Sequence, residues 1–525
     1  MKLIRTAAVA LLPASALTPI TARAADGTAT LAREIQALKD QLSALQKQLE
    51  SLQAREAEQR EALAKEVETR EAAERAAREA NLAAGGRNVI EGGVMRMIPP
   101  SNPRVTQSGT NRFAMSSADG AWTIAPTGRI HFDMGVYLNQ KPEGTTGPGT
   151  IAGGRFSNGV NARRARIGIT GRAMTDFTYS LILDAGGTQD GSATINEARL
   201  SYGGVRNTSF DIGYGPQYFQ IDDSTSSNDI VFIERSSPGL IASGFTGGDN
   251  RFSIGARTWE SNWFAAAYVT GSVPNVSHAL TTRGFGAYSR LSYNPIQTDL
   301  TSVHFGASAA RLFEVPNSGP NTPASVTLAD RPEVRIDTTN LLNTGALGTA
   351  ANPVTKADIF GVQSAGAFGA FYMQGEYSWD IIKRRQGPDV KVGGGYAQAS
   401  YTIGGRRSYV PASGTYSGVN PTTPFSPKSG GWGAFEFAAR LSYTDLVDNY
   451  SSSILAADQP FMVNGGRQTN YTLGFNWFWN SNMLWKFNFI HTEFDKANPI
   501  TASNTLPIPL GLSLDTFAAR FQVMF

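Results

Sequence analysis

Three cations, Arg163, Arg164 and Arg166, fall within four positions of this chain with no acid nearby. A guanidinium stays charged throughout the physiological range and presents a planar fork of donors that matches an oxyanion, so the chemistry on offer is anion binding. Arg129, Arg172, Arg199, Arg290, Arg440 and Lys486 extend the set. Arg235 belongs to an unusually apolar segment, residues 215–248, that also carries Asp222, Asp223, Asp229 and Glu234 as counter-charges. Signatures of catalysis are thin by comparison. His131, His278, His304 and His491 are scattered without metal-ligand spacing, and no glycine cluster runs into the Gly-Lys-Ser/Thr of a phosphate-cradling loop. The absence of cysteine removes disulfides, thiolate metal sites and cysteine nucleophiles together. A Ser/His hydrolase at a lipid boundary finds no nucleophile motif to support it. The expectation is a protein with no catalytic residue, no metal and no cofactor.

Cations can form a file only if something holds them on one wall. From Gly128 onward the apolar period is two, which reads as strands. Ile130, Phe132, Met134, Val136 and Leu138 share one face of a run whose other face carries Arg129, His131 and Asp133. The pattern recurs with Ala165, Ile167 and Ile169 against Arg164, Arg166 and Arg172, and with Phe435, Phe437 and Leu441 against Glu436 and Arg440. The runs are about ten residues long, enough for a tilted strand to cross hydrocarbon, and aromatic residues gather at their ends. A sheet facing lipid must pair all its backbone groups internally, so it must close into a barrel. About fifteen segments are legible, and an even count makes sixteen antiparallel strands the expectation. Long loops at residues 315–356 and 404–431 and short turns such as 203–208 suggest one loop end and one turn end. The last segment alternates to an aromatic carboxyl terminus, Phe525, as outer-membrane barrels do when they engage their assembly machinery.

With the apolar face in lipid, the arginines line a lumen. From Gly128 on, 30 Lys+Arg stand against 29 Asp+Glu, so pairing with inward acids such as Asp133, Asp184, Glu197 and Glu436 competes with anion binding for each of them. Residues 215–248 are too long for a hairpin turn and too apolar for an exposed loop. They read as a segment folded into the lumen as a constriction, the alternative being two further strands.

The N-terminal part has a different grammar. Lys2 and Arg5 precede an apolar run, and Ala22-Arg23-Ala24 offers a peptidase site, so residues 1–24 read as a secretory signal. Without Lys2, Arg5 and Arg23 the formal charge of +3 falls to about zero, far from the basic balance of a nucleic-acid binder. Between Gly27 and Gly85 there is no glycine, and Leu31, Ile35, Leu38, Leu42, Leu45, Leu49 and Leu52 follow 4-3 spacing. Such a stripe predicts a coiled coil over residues 25–86, burying those seven residues between chains, with 87–127 as linker. A lone amphipathic helix docked on a neighbour is the alternative.

Arg163-Arg164-Ala165-Arg166-Ile167-Gly168, the run from Ser226-Ser227-Asn228-Asp229 to Glu234-Arg235, Gly375-Glu376-Tyr377 and Gly474-Phe475-Asn476-Trp477 together resemble the phosphate-selective porin O and P family. The resemblance covers residues 128–525. It implies a sixteen-stranded trimeric outer-membrane porin with an infolded loop, passing phosphate or pyrophosphate over arginine ladders and lysine-rich mouths. This chain departs from that pattern in having only seven lysines after Gly128. The expected protein is thus a homotrimer in bacterial outer-membrane lipid, conducting small anions, possibly phosphate or polyphosphate, with its coiled coil in the periplasm. The alternative is a structural anchor whose coiled coil tethers a periplasmic partner.

Overall fold

A computed structural model describes residues 35–37, 39, 40, 42–44, 46, 47, 49–51, 53 and 65, then 87–91, 94–98, 104–108, 112–143, 156–187, 192–245, 250–271, 284–317, 322–451, 453, 454, 458–497 and 509–525. The chain divides into two compact units, residues 1–100 and 101–525. In the first, every described residue from 35 to 53, and residue 65, is helical, and Ile35, Leu42 and Leu49 are exposed. Arg87–Glu91 and Val94–Ile98 form a hairpin. The leader and Leu31, Leu38, Leu45 and Leu52 lie outside the described residues.

The second unit is a closed antiparallel barrel of sixteen strands. In chain order they are β1 Thr123–Glu143, β2 Gly159–Ala173, β3 Phe177–Asp184, β4 Thr194–Tyr202, β5 Thr208–Pro216, β6 Asn250–Glu260, β7 Trp263–Thr270 and β8 Phe285–Gln297. The sheet continues with β9 Thr301–Glu314, β10 Val354–Phe368, β11 Phe371–Arg384, β12 Val390–Ile403, β13 Ala434–Asp448, β14 Val463–Phe478, β15 Met483–Ala497 and β16 Pro509–Met524. β1 begins at Thr123, inside the stretch that the sequence suggests as linker, and a small hairpin of Arg104–Ser108 and Arg112–Ser116 pairs onto its start. No described helix is long and apolar enough to cross a membrane.

Alternation puts large apolar side chains outside and polar ones inside, as lipid and lumen demand. Phe132, Met134, Val136 and Leu138 are exposed, whereas His131, Asp133, Arg290, Glu436, Lys486 and Arg520 are buried within the barrel. Closure is by β16 on β1, and the terminal residue takes part: the Phe525 and Gly128 backbones exchange hydrogen bonds. Gly128 is required there, because a Cβ at that position would collide with the Phe525 ring.

The two ends are less asymmetric than the sequence suggests. Residues 315–353 follow β9 at the end where the long connections lie, but residues 404–433 follow β12 at the opposite end, beside short turns such as 203–207. That long connection is accommodated by turning inward, where its Tyr409–Val410 and Thr415–Tyr416 pieces pair with each other and pack in the lumen.

Candidate functional site

The described residues 217–245, between β5 and β6, form no further strands. They hold a short helix, α1 Ile221–Ser224, an irregular run, and a second helix, α2 Ser237–Phe245. The irregular run lies on the inner wall, where it and the inward-turned residues 404–433 form a plug, and its carbonyls accept hydrogen bonds from wall and plug side chains in succession. Gln522 donates to the Asn228 carbonyl, Arg407 to Asp229, Lys486 to Ile230 and Phe232, Asn476 to Val231, Arg520 to Ile233, and Arg440 to Glu234. Seven consecutive carbonyls are thereby satisfied without secondary structure, which removes the cost of burying them unpaired.

This arrangement redefines several cations singled out in the sequence. Arg440 and Lys486 face the loop, and Arg440 also pairs with Glu333 at 2.5 Å and lies 4.4 Å from the Phe232 ring centre. Arg290 is fully buried, donating to Ser224 Oγ at 3.0 Å and to the carbonyls of Ser413 and Gly414. Arg235 spends its guanidinium on the carbonyls of Asp222, Asp223 and Thr225, closing the turn that follows α1. These four hold the plug in place.

Glu234 is a hub. It lies 2.8 Å from Arg163, 3.5 Å from Arg164 and 2.7 Å from Arg520, which also pairs with Asp133 at 2.6 Å. Burial opposes its charge, but Arg163, Arg164, Arg520 and Arg335 hold its carboxyl well below the usual carboxylate range. Arg163 and Arg164 both reach it because of a β-bulge. Ala162 faces Phe132 and Arg164 faces His131, leaving Arg163 as the extra residue, so neighbours that would alternate both turn inward. The expectation that this cluster stands without acid is corrected by Glu234, and by Asp184, which lies 2.7 Å from Arg166. Asp184 was among the inward acids the sequence offers as partners, whereas Glu234, about seventy residues on in an infolded segment, was hidden by sequence distance.

The plug divides the lumen. Phe219, Ile241 and Ala242 pack with Phe264, Tyr268, Tyr288, Ile359, Ile382 and Val392 of the wall between β7 and β12, joined by Leu328, Leu341 and Leu342 from the β9–β10 connection. Against β1–β4, three cavities follow one another along β2. At the loop end, one of about 450 Å³ is bordered by Arg163, Arg331, Arg335 and Asp330. In the middle, one of about 340 Å³ lies between the wall residues Arg129, Arg164, Arg166 and Glu197 and the loop residues 223–227. Toward the turn end, one of about 380 Å³ is bordered by Arg172, Arg199, Arg257, Thr170 and Ser201.

Arg129 and Arg166 stand directly opposite each other on β1 and β2, and Arg129 donates to Ser227 Oγ at 2.9 Å. Like charges in direct cross-strand register destabilise a sheet, and the Asp184 carboxylate beside Arg166 offsets part of that cost. Arg199 pairs with Glu197 at 2.7 Å, and Arg172 is exposed at the edge of the last cavity. Arg257, Arg331 and Arg335, absent from the sequence-derived set, also border these cavities. Arg257 lies on β6, and Arg331 and Arg335 lie in a loop without periodicity, so strand alternation gave no signal for the two loop residues.

A family model described as phosphate-selective porin O and P matches residues 127–525. The chain belongs to this porin family. Membership and a closed barrel together place it in the bacterial outer membrane. Similar folds include OmpT of Vibrio cholerae (10% identity, 77% of this chain and 98% of that one, TM-score 0.45). They also include the anion-selective porin from Comamonas acidovorans (12% identity, 77% and 100%, TM-score 0.44) and the channel DcaP of Acinetobacter baumannii (9% identity, 78% and 99%, TM-score 0.42). No curated protein sequence matches the chain.

Proposed function

We propose that this porin is a diffusion channel for small anions, and that they cross along the β1–β4 wall. The observation that carries the reading is the cross-strand pair Arg129 and Arg166 bordering the central cavity, with Arg163, Arg331 and Arg335 on one side and Arg172, Arg199 and Arg257 on the other. A guanidinium that binds an anion weakly at successive sites lets it enter and leave again, which is what conduction needs. The family description points to phosphate as one permeant to measure.

The functional unit in this reading is a homotrimer, exported by residues 1–24 and assembled through the C-terminal strand ending at Phe525. The helical region would associate on the periplasmic side, burying Ile35, Leu42 and Leu49, which are exposed in the single chain. The purified protein in a planar bilayer under a KCl gradient tests the reading. It should conduct with a reversal potential on the anion side. Cation preference would remove the anion assignment, and a silent bilayer would favour an anchor whose barrel only holds the helix at the membrane.

A further inference from the structure

We infer that the permeant suited to the central cavity is a hydroxylated organic monoanion, of the sugar-acid class, in preference to inorganic phosphate. This rests on the anion reading above and specifies its substrate. The wall cations are largely neutralised where they stand: Arg163 and Arg164 by Glu234, Arg166 by Asp184 and Arg199 by Glu197. The cavity itself carries Glu197, Asp223 and Asp229 alongside its arginines, and among the described residues no lysine borders any of the three cavities on this wall. Hydroxyl-bearing side chains outnumber the charged ones there, among them Tyr218, Ser224, Ser226, Ser227, Thr415 and Ser417.

The chemistry of donors and acceptors then discriminates. A phosphate dianion offers one hydroxyl proton among its acceptor oxygens, so it finds matched partners in the arginines and hydroxyl protons but meets the carboxylates of Glu197, Asp223 and Asp229 with like charge and a single donor. A hydroxy acid offers one carboxylate, which a single guanidinium of this wall matches, and several hydroxyls that can donate to those same carboxylates. A polar site built for hydroxyl groups rejects a ligand that lacks them, because its own polar atoms are left unpaired. Singly charged, the hydroxy acid also carries less of the repulsion.

The test uses the full-length protein in a planar bilayer at pH 8, with chloride as current carrier and gluconate, phosphate or hexanoate added. Gluconate should reduce the chloride current at concentrations about tenfold below those needed for phosphate or for hexanoate, which has the carboxylate without the hydroxyls. Phosphate acting at the same or lower concentration than gluconate would overturn the inference, as would hexanoate matching gluconate. Glu197→Gln should narrow the gap between gluconate and phosphate severalfold, and an unchanged gap would equally count against it. The KCl reversal potential measured on the same channels keeps the two claims apart: cation preference there defeats the anion reading itself, while anion preference with phosphate superior defeats only the substrate class.

Discussion

The two halves of the lumen are built on the same strand grammar and end in opposite states. Between β7 and β12 the inward face carries Phe264, Tyr268, Tyr288, Ile359, Ile382 and Val392 among buried polar groups such as His304, Gln363, Gln374 and Glu376, and the plug packs against them into the half we read as dry. Along β1–β4 the inward face carries arginines, threonines and serines, and the plug offers hydroxyls and carboxylates across open space. Which residues face inward decides where water goes, and the infolded chain only makes the difference complete. A cation on the dry side, such as Arg290, is consumed by plug carbonyls, whereas Arg129 and Arg166 on the wet side border a cavity.

The strongest way to break that contrast is to remove the plug. Deleting residues 224–236 takes away the seven anchored carbonyls and Glu234 together, so single-channel conductance should rise severalfold and anion preference should weaken. Unchanged conductance would show that the segment does not limit the path. Next in size is the central anchor. Glu333→Gln strips Arg440 of its carboxylate partner and weakens the bonds from Ser442 and the Ser237 amide. Breaking a buried ion pair on one side costs about 3–5 kcal/mol, so the folded barrel should denature at lower temperature and its current should become noisy as the plug loosens.

On the wet side the effects are electrical. Arg166→Glu sets a carboxylate in register with Asp184 and opposite Arg129, exchanging one like-charge cross-strand pair for another, and should move the KCl reversal potential toward cations. Arg164→Glu is a different experiment: Arg164 is buried against Glu234, so a carboxylate there should destabilise the loop as well as shift selectivity. The smallest effect concerns acid. Because Glu234 is held below the usual carboxylate range, its contribution is complete above its unfolded pKa of about 4.3 and is lost only as pH falls through the depressed folded value. Conductance of the wild type between pH 7 and pH 5 should therefore show no step that Glu234→Gln abolishes.

Much of the fold was open to inspection of the sequence because lipid enforces a period of two, from which about fifteen of the sixteen strands and the closing segment at Phe525 follow, while the segment after β5 stands out by its length and apolar content. The site was open only in part. Arg129, Arg166 and Arg172 were found by parity, but the fate of each cation depends on a partner far along the chain, as Arg520 and Asp133 do across the closure or Arg440 and Glu333 across the plug. The β2 bulge at Arg163 breaks alternation without any glycine or proline to announce it, and residues 404–433 turn inward through aromatic and arginine contacts that a loop-length argument does not register.

The chain contains no cysteine, so single thiols can report which half of the lumen is wet. Ser227→Cys places one on the cavity beside Arg129, and Ala266→Cys places one in the packed half. Recorded in a planar bilayer, an anionic methanethiosulfonate should cut the current through Ser227→Cys within seconds and leave Ala266→Cys untouched. Rapid block at Ala266→Cys with a silent Ser227→Cys would contradict the account, because the path would then run through the half assigned as dry.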